Sequence, residues 1–262
     1  MNTIRWLEAQ KVTAPAPGAG DTVECREFEV SRDDQIVPGV LWQGEACRAG
    51  SPMVLLGHGA SGDRHQSPIP YLSQRLAAKG IFCVAIDGPV HGKRRQGDGG
   101  RGAFGEWWRR PGGIAAMNSD WQAAIDLVRD ETGAGTLGYW GLSMGTILGA
   151  PLVAATKAIE VAVLGLMGTV GPTDEYKQLI QESAANITCP VFFIMQLEDE
   201  LFARDRYLDL FDRIASTDKR LHANPGLHPE VPEEELVFSI DFLVRHLTDA
   251  GVTTGGAASI SE

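Results

Sequence analysis

One serine in this 262-residue chain sits where nucleophilic chemistry is easiest to build: Gly141-Leu142-Ser143-Met144-Gly145, a G-x-S-x-G pattern inside Leu137–Gly149. Short apolar residues lead into it, and a small-and-aliphatic run leads out. That is the layout of a buried strand, a very tight turn and a helix, with the serine hydroxyl pushed out at the tip. A Cβ at either glycine would collide with the neighbouring strand or helix. The five residues alone match many ordinary loops, so their weight depends on what surrounds them.

A serine hydroxyl is a poor nucleophile at neutral pH and needs a base to take its proton. Histidine suits that role, with a carboxylate to fix its tautomer and stabilise the cation that forms. The histidines are His58, His65, His91, His222, His228 and His246. His246 falls on a predicted helix and His222 within a predicted strand, so both are poorly placed. His228 lies in Asn224-Pro225-Gly226-Leu227-His228-Pro229, a turn-rich stretch after the last predicted strand, and is favoured as the base. Its plainer role would be to cap the helix that follows. The acid is expected after the strand Val191–Met195, where Glu198, Asp199 and Glu200 cluster; Asp199 is favoured, with Glu198 next. The plain alternative for this trio is a solvated acidic loop. An oxyanion would need backbone donors. The Met144 N–H is one candidate, and the Gly59–Ser61 turn, foremost Ala60, supplies the other.

These residues are far apart in the chain, so the elements between them must bring them together. Val23–Val30 and Ile36–Trp42 read as an antiparallel hairpin around Ser31-Arg32-Asp33-Asp34. Met53–Leu56, Ile81–Ile86, Val161–Leu166 and Val191–Met195 read as buried strands, and Lys219–His222 as a brief one. Helices are predicted from Ser67-Pro68 to Gly80, around Trp121, Ile125 and Val128, from Ser143 through Leu152, over Thr173–Ala184, through Tyr207, Leu210, Phe211 and Ile214, and through Leu236, Ile240, Leu243 and Leu247. Pro151 should kink or shorten its helix. Near-continuous apolar strands alternating with helices indicate an α/β fold, a parallel sheet covered by helices on both faces with an antiparallel edge in front. Loops at the carboxyl ends of such strands converge on one edge. Ser143, His58, Asp87, Asp199 and His228 all follow strand ends.

Residues 1–20 read as a flexible lead-in, 21–249 as one domain, and 250–262 as a disordered tail. The net charge of −11 disfavours nucleic acid and anionic membrane surfaces. No apolar run is long enough for a transmembrane helix, and the first residues lack a signal-peptide core. The expected location is therefore the cytoplasm. The cysteines Cys25, Cys47, Cys83 and Cys189 form no C-x-x-C pair and no cluster with histidine, so no metal site is expected. Cys83 and Cys189 read as core residues, while a Cys25–Cys47 pairing is left open.

At this point the chain resembles an α/β-hydrolase, of the dienelactone-hydrolase-like or small serine-esterase kind. The resemblance rests on Gly57–Gly62 (GHGASG), Asp87–Arg94 (DGPVHGKR), Gly141–Gly145, Asp199 and Gly226–His228, and it covers Met53 to Leu247. The order Ser, Asp, His also matches the family. The resemblance implies a mostly parallel eight-stranded sheet and no cofactor. Dienelactone hydrolases carry a cysteine nucleophile where this chain has Ser143. Dehalogenases and epoxide hydrolases carry an aspartate there, which disfavours their chemistry.

Val90–Gly113 reads as a long loop, and since a helical cap after the sixth strand has little room in Gly168–Cys189, any lid is expected from it. In that segment Phe104, Trp107 and Trp108 either wall a substrate pocket or anchor the segment on the domain. Arg94, Arg95, Arg101, Arg109 and Arg110 either bind an anionic substrate or form a solvated face. His58 is expected to order the oxyanion turn beside the pocket, and Asp87 and His91 to shape the turn beneath the nucleophile. The function expected from these features is hydrolysis of a small-molecule carboxylic ester through an acyl-enzyme on Ser143. An amidase, peptidase, C–C bond hydrolase or acyltransferase with the same triad is the alternative, and a binding protein that lost catalysis comes last. The oligomeric state, a homodimer included, is left open.

Overall fold

A computed structural model of the chain describes residues 3–13, 22–32 and 35–248. The sheet among the described residues has nine strands in the order β1-β2-β3-β5-β4-β6-β7-β8-β9. Strands β1 (Thr3–Thr13), β2 (Thr22–Arg32) and β3 (Gln35–Gly44) form an antiparallel meander that joins β5 (Phe82–Ile86). The remaining strands, β4 (Met53–Gly57), β6 (Leu137–Gly141), β7 (Ile159–Gly165), β8 (Val191–Gln196) and β9 (Lys219–Asn224), run parallel with β5.

The parallel strands read as unbroken apolar runs because both faces are covered. In β8, Val191, Phe193 and Met195 face one core while Phe192 and Ile194 face the other. Helices α3 (Gly113–Thr132), α4 (Met144–Ala155), α5 (Asp174–Asn186) and α6 (Arg204–Arg213) close the first core. The second lies under α1 (Ile69–Ala78) and α7 (Glu233–Thr248).

Three expectations need correction. The lead-in read over residues 1–20 contains strand β1, which pairs with β2 from Thr3↔Ser31 to Thr13↔Thr22 and makes the sheet one strand wider than the expected eight. Its residues alternate too weakly to announce a strand, and it is the partner β2 that supplies the ladder. Helix α1 starts at Ile69, with Pro68 at its entrance and no side-chain cap from Ser67. The Val90–Gly113 segment is not a bare loop. A 3-10 turn over Gly92–Arg94 and helix α2 (Gly100–Trp108) fill it. The proposed tail 250–262, and Asp33–Asp34 of the hairpin turn, lie outside the described residues.

Helix α4 runs four residues past Pro151. The proline has no N–H for the carbonyl of Ile147 one turn earlier. That carbonyl accepts from the Tyr176 hydroxyl of α5 at 3.1 Å instead. All four cysteines are free thiols.

Candidate active site

The sheet reverses its winding between β4 and β6, which lie side by side with Leu56 opposite Trp140 and Gly57 opposite Gly141. A crevice opens at the carboxyl ends of strands at such a point. The segments leaving β4 and β6 are His58–Gly62 and Leu142–Ser143, and both line one cavity of about 290 Å³.

Ser143 occupies the tip of the turn with φ 56° and ψ −118°, a conformation that side chains other than glycine adopt at a cost of roughly 1–3 kcal/mol. The surroundings hold it there. Its N–H donates to the Gly165 carbonyl at 3.0 Å. The Thr146 hydroxyl is within donating reach of the Gly141 (2.8 Å) and Gly165 (2.6 Å) carbonyls and accepts from the Gly165 N–H at 2.8 Å, tying β6, α4 and β7 together. A Cβ on Gly145 would strike the Gly57 carbonyl of β4, and one on Gly141 would lie 2.8 Å from the Tyr139 hydroxyl. Only glycine lets the helix start this close to the strand.

His228 Nε2 lies 2.9 Å from the Ser143 hydroxyl oxygen, and His228 Nδ1 lies 2.7 Å from Asp199 Oδ2. The Asp199 carboxylate also accepts from the N–H groups of Leu201 (2.7 Å) and Phe202 (3.0 Å) and from the Tyr207 hydroxyl. Burial alone would raise its pKa, but the hydrogen bonds from Tyr207, His228, Leu201 and Phe202 outweigh burial and hold the carboxyl below its ordinary value. Burial and the Asp199 charge push Tyr207 upward, so its hydroxyl keeps its proton and donates.

Ser143, His228 and Asp199, read from three separate loops, thus share one line of hydrogen bonds. The other acidic residues are not merely solvated. Glu198 accepts from the Gly226 N–H, and Glu200 accepts from the His228 N–H at 2.9 Å. Gln196, buried at the end of β8, donates to the Glu230 carbonyl at 2.8 Å and further supports the His228 loop. Sequence reasoning missed Tyr207 and Gln196. Tyr207 falls in an apolar helix stripe with Leu210, Phe211 and Ile214, and no pattern distinguishes Gln196 from an ordinary strand end.

The remaining histidines have other partners. His65 faces Glu27 at 2.7 Å, His222 faces Glu235 at 2.9 Å, and His246 lies 3.7 Å from Asp218. His58 lines the cavity, yet both its nitrogens are engaged: Nε2 accepts from the Gly88 N–H at 2.8 Å, so Nδ1 carries the proton and donates to the Gly59 carbonyl at 2.8 Å. Burial lowers its pKa to about 4, against the weaker opposing effect of the Gly59 carbonyl, which keeps the ring neutral near pH 7. The N–H groups of Ala60 and Met144 have no acceptor among the described residues.

Of the two roles open to Phe104, Trp107 and Trp108, their positions fit the anchoring one. Phe104 is buried and stacks on Trp107 (5.8 Å) and Trp108 (5.7 Å), and Trp108 meets Tyr176 edge-on at 4.8 Å. None of the three lines the Ser143 cavity. They anchor α2 because a nine-residue helix with three glycines has little else to bury. Of the five arginines considered for an anionic substrate, Arg101 alone reaches the cavity. Arg94 pairs with Asp120 at 2.8 Å, and Arg95 and Arg109 bond nearby carbonyls. Asp87 forms a buried ion pair with Arg64 at 2.6 Å and accepts from the Lys93 N–H at 2.8 Å, fastening the Val90–Gly113 segment to the domain.

No protein-family model and no curated protein matches the chain. Solved structures do. A cold-adapted esterase from an Arctic intertidal metagenomic library is 38% identical, its polyethylene-glycol complex superposing with a TM-score of 0.77 over 86% of this chain and 95% of that one. The chain belongs to the α/β-hydrolase superfamily. More distant structures carry the same fold. Est1E from Butyrivibrio proteoclasticus, with ferulic acid bound, is 13% identical over 83% of this chain and 98% of that one, with a TM-score of 0.65. The Pyrococcus furiosus esterase Pf2001 is 18% identical over 85% and 93%, with a TM-score of 0.63.

This α/β-hydrolase has no cluster of three or more His, Cys, Asp or Glu side chains suited to a metal ion among its described residues. No helix among them is long and apolar enough to cross a membrane.

Proposed function

We propose that the chain is a serine carboxylesterase acting on small-molecule esters through an acyl-enzyme. The observation that carries this reading is the Ser143–His228–Asp199 line of hydrogen bonds, with Ser143 and His228 lining a small cavity. The 38% identity to an esterase over nearly the whole of that chain supports the ester as the bond attacked.

In this reading His228 Nε2 takes the Ser143 proton as the oxygen attacks the ester carbonyl. Asp199 holds the Nδ1–H tautomer and stabilises the imidazolium. The carbonyl oxygen gains negative charge and is received by the N–H groups of Met144 and Ala60. His228 then returns the proton to the leaving alcohol. A water molecule, deprotonated by His228, attacks the acyl-enzyme, and the acid is released with Ser143 restored.

Ser143→Ala tests the reading. Turnover of p-nitrophenyl acetate should fall by about four orders of magnitude or more, with the fold retained by circular dichroism. A fluorophosphonate probe should label Ser143 and nothing else. Full activity in the alanine variant, or labelling of another residue, sinks the assignment.

A further inference from the structure

Each of the two peptide groups flanking Ala60 has a histidine nitrogen at its carbonyl. The Gly59 carbonyl, which shares a peptide with the Ala60 N–H, accepts from His58 Nδ1. The Ala60 carbonyl lies 2.8 Å from His91 Nε2. A trans peptide is planar and carries its C=O and N–H on opposite sides, so pinning the carbonyls leaves the Ala60 backbone little freedom to turn.

His91 is well seated for this. Its Nδ1 lies 2.7 Å from the Pro89 carbonyl in the turn after β5, and since a neutral ring carries one proton, only one of the two nitrogens donates. The ring is buried between His58, at a centroid distance of 5.3 Å, and Phe104, at 6.1 Å. Phe104 is backed in turn by Trp107 and Trp108. The aromatic group of α2 therefore reaches the oxyanion turn through His91 rather than by touching substrate. With both ring nitrogens facing backbone carbonyls and the place beside Ser143 taken by His228, His91 is not placed for proton transfer with Ser143.

We infer that His91 is a positioning residue for ester hydrolysis: its Nε2–H holds the Ala60 carbonyl and so aims the Ala60 N–H at the developing oxyanion. The inference rests on the serine-esterase reading of the site. Holding the donor before reaction matters because an oxyanion donor acts through preorganisation.

Two substitutions separate the ring's two contacts. His91→Asn places its amide near the position of Nδ1 and leaves no donor at Nε2, whereas His91→Gln places its amide nitrogen near Nε2. With p-nitrophenyl acetate, the Asn variant should lose about tenfold or more in kcat, and the Gln variant about threefold or less, since losing one oxyanion donor outright costs about 10²–10³. KM should stay within about twofold in both, because the donor acts on the transition state. An Asn variant as fast as wild type overturns the inference, as does an equal loss in both variants that tracks a shared fall in Tm.

Nitrogen-15 histidine spectra of the unaltered chain decide the matter should the Asn variant not fold. A proton on His91 Nε2 is expected, and a bare Nε2 overturns the inference. Ser143→Ala runs alongside. If it keeps wild-type turnover, the esterase reading fails and takes this inference with it. If it is inactive while His91→Asn is unimpaired, only the inference fails.

Discussion

Four hydrogen bonds converge on the Asp199 carboxylate, from Leu201, Phe202, Tyr207 and His228. Three of them hold the carboxylate whether or not His228 is present, so the acid is built to stay in place and ionised. Asp199→Asn should therefore leave the fold intact while lowering kcat by about 10⁴, because the amide can offer its nitrogen to Nδ1 and select the wrong tautomer. Steady-state kinetics with a probe-labelling check on Ser143 test this; a loss below tenfold would remove Asp199 from the proposed triad.

His58 carries a second prediction at this scale. Its folded pKa of about 4 lies below the 6.5 of a free imidazole. The unfolded chain thus takes up a proton below pH 6.5 that the folded chain refuses. The stability linked to this group is complete above pH 6.5 and is lost as the pH falls toward 4, by at most about 3 kcal/mol. Denaturation of wild type and His58→Gln across that window should show a shallower slope in the variant, and identical slopes would contradict it.

At the scale of elements, the turn that carries Ser143 depends on how α4 begins and on how it survives Pro151. Its start needs Gly145 against the Gly57 carbonyl, and its middle needs the Tyr176 hydroxyl on the Ile147 carbonyl. Tyr176→Phe strands that buried carbonyl and should cost roughly 1–3 kcal/mol. Chemical denaturation measures it; a variant as stable as wild type would show that the carbonyl finds another donor. The elements themselves were largely legible. Val191–Met195 and Met53–Leu56 are too apolar to be anything but doubly buried strands, and α7 shows its face in Leu236, Ile240, Leu243 and Leu247. Strand β1 and helix α2 were not legible. Each gets its order from a partner, β2 in one case and the Phe104–Trp107–Trp108 stack in the other, and a partner distant in the chain leaves no local pattern.

For the whole molecule, the sheet's reversal between β4 and β6 decides where the cavity lies, and its walls decide what can enter. Trp140, Leu142, Leu166, Pro229, Val231 and Leu236 give it an apolar lining. At about 290 Å³ it sits at the small end of ligand pockets, which run from about 300 to 1,000 Å³. Across p-nitrophenyl esters from acetate to decanoate, kcat/KM should peak at the short acyl chains and fall about tenfold or more by decanoate. A flat or rising profile would mean that the walls open further than this structure shows.

By itself the sequence determined the class of fold and the residue types available for chemistry. Burial on two faces dictates apolar strands, and a strained turn between strand and helix dictates Gly141 and Gly145 around Ser143. It also narrowed the candidate base and acid to the segments holding His228 and Asp199, since only loops after strand ends share an edge. The tertiary structure alone decided the rest. It placed Tyr207 on Asp199, Gln196 under the His228 loop, His91 on the Ala60 carbonyl, and the aromatic trio away from the cavity. Those contacts join residues from different elements through directional hydrogen bonds of about 3 Å. Periodicity reports which face of an element is apolar, but it carries no information about which polar atom will stand opposite another.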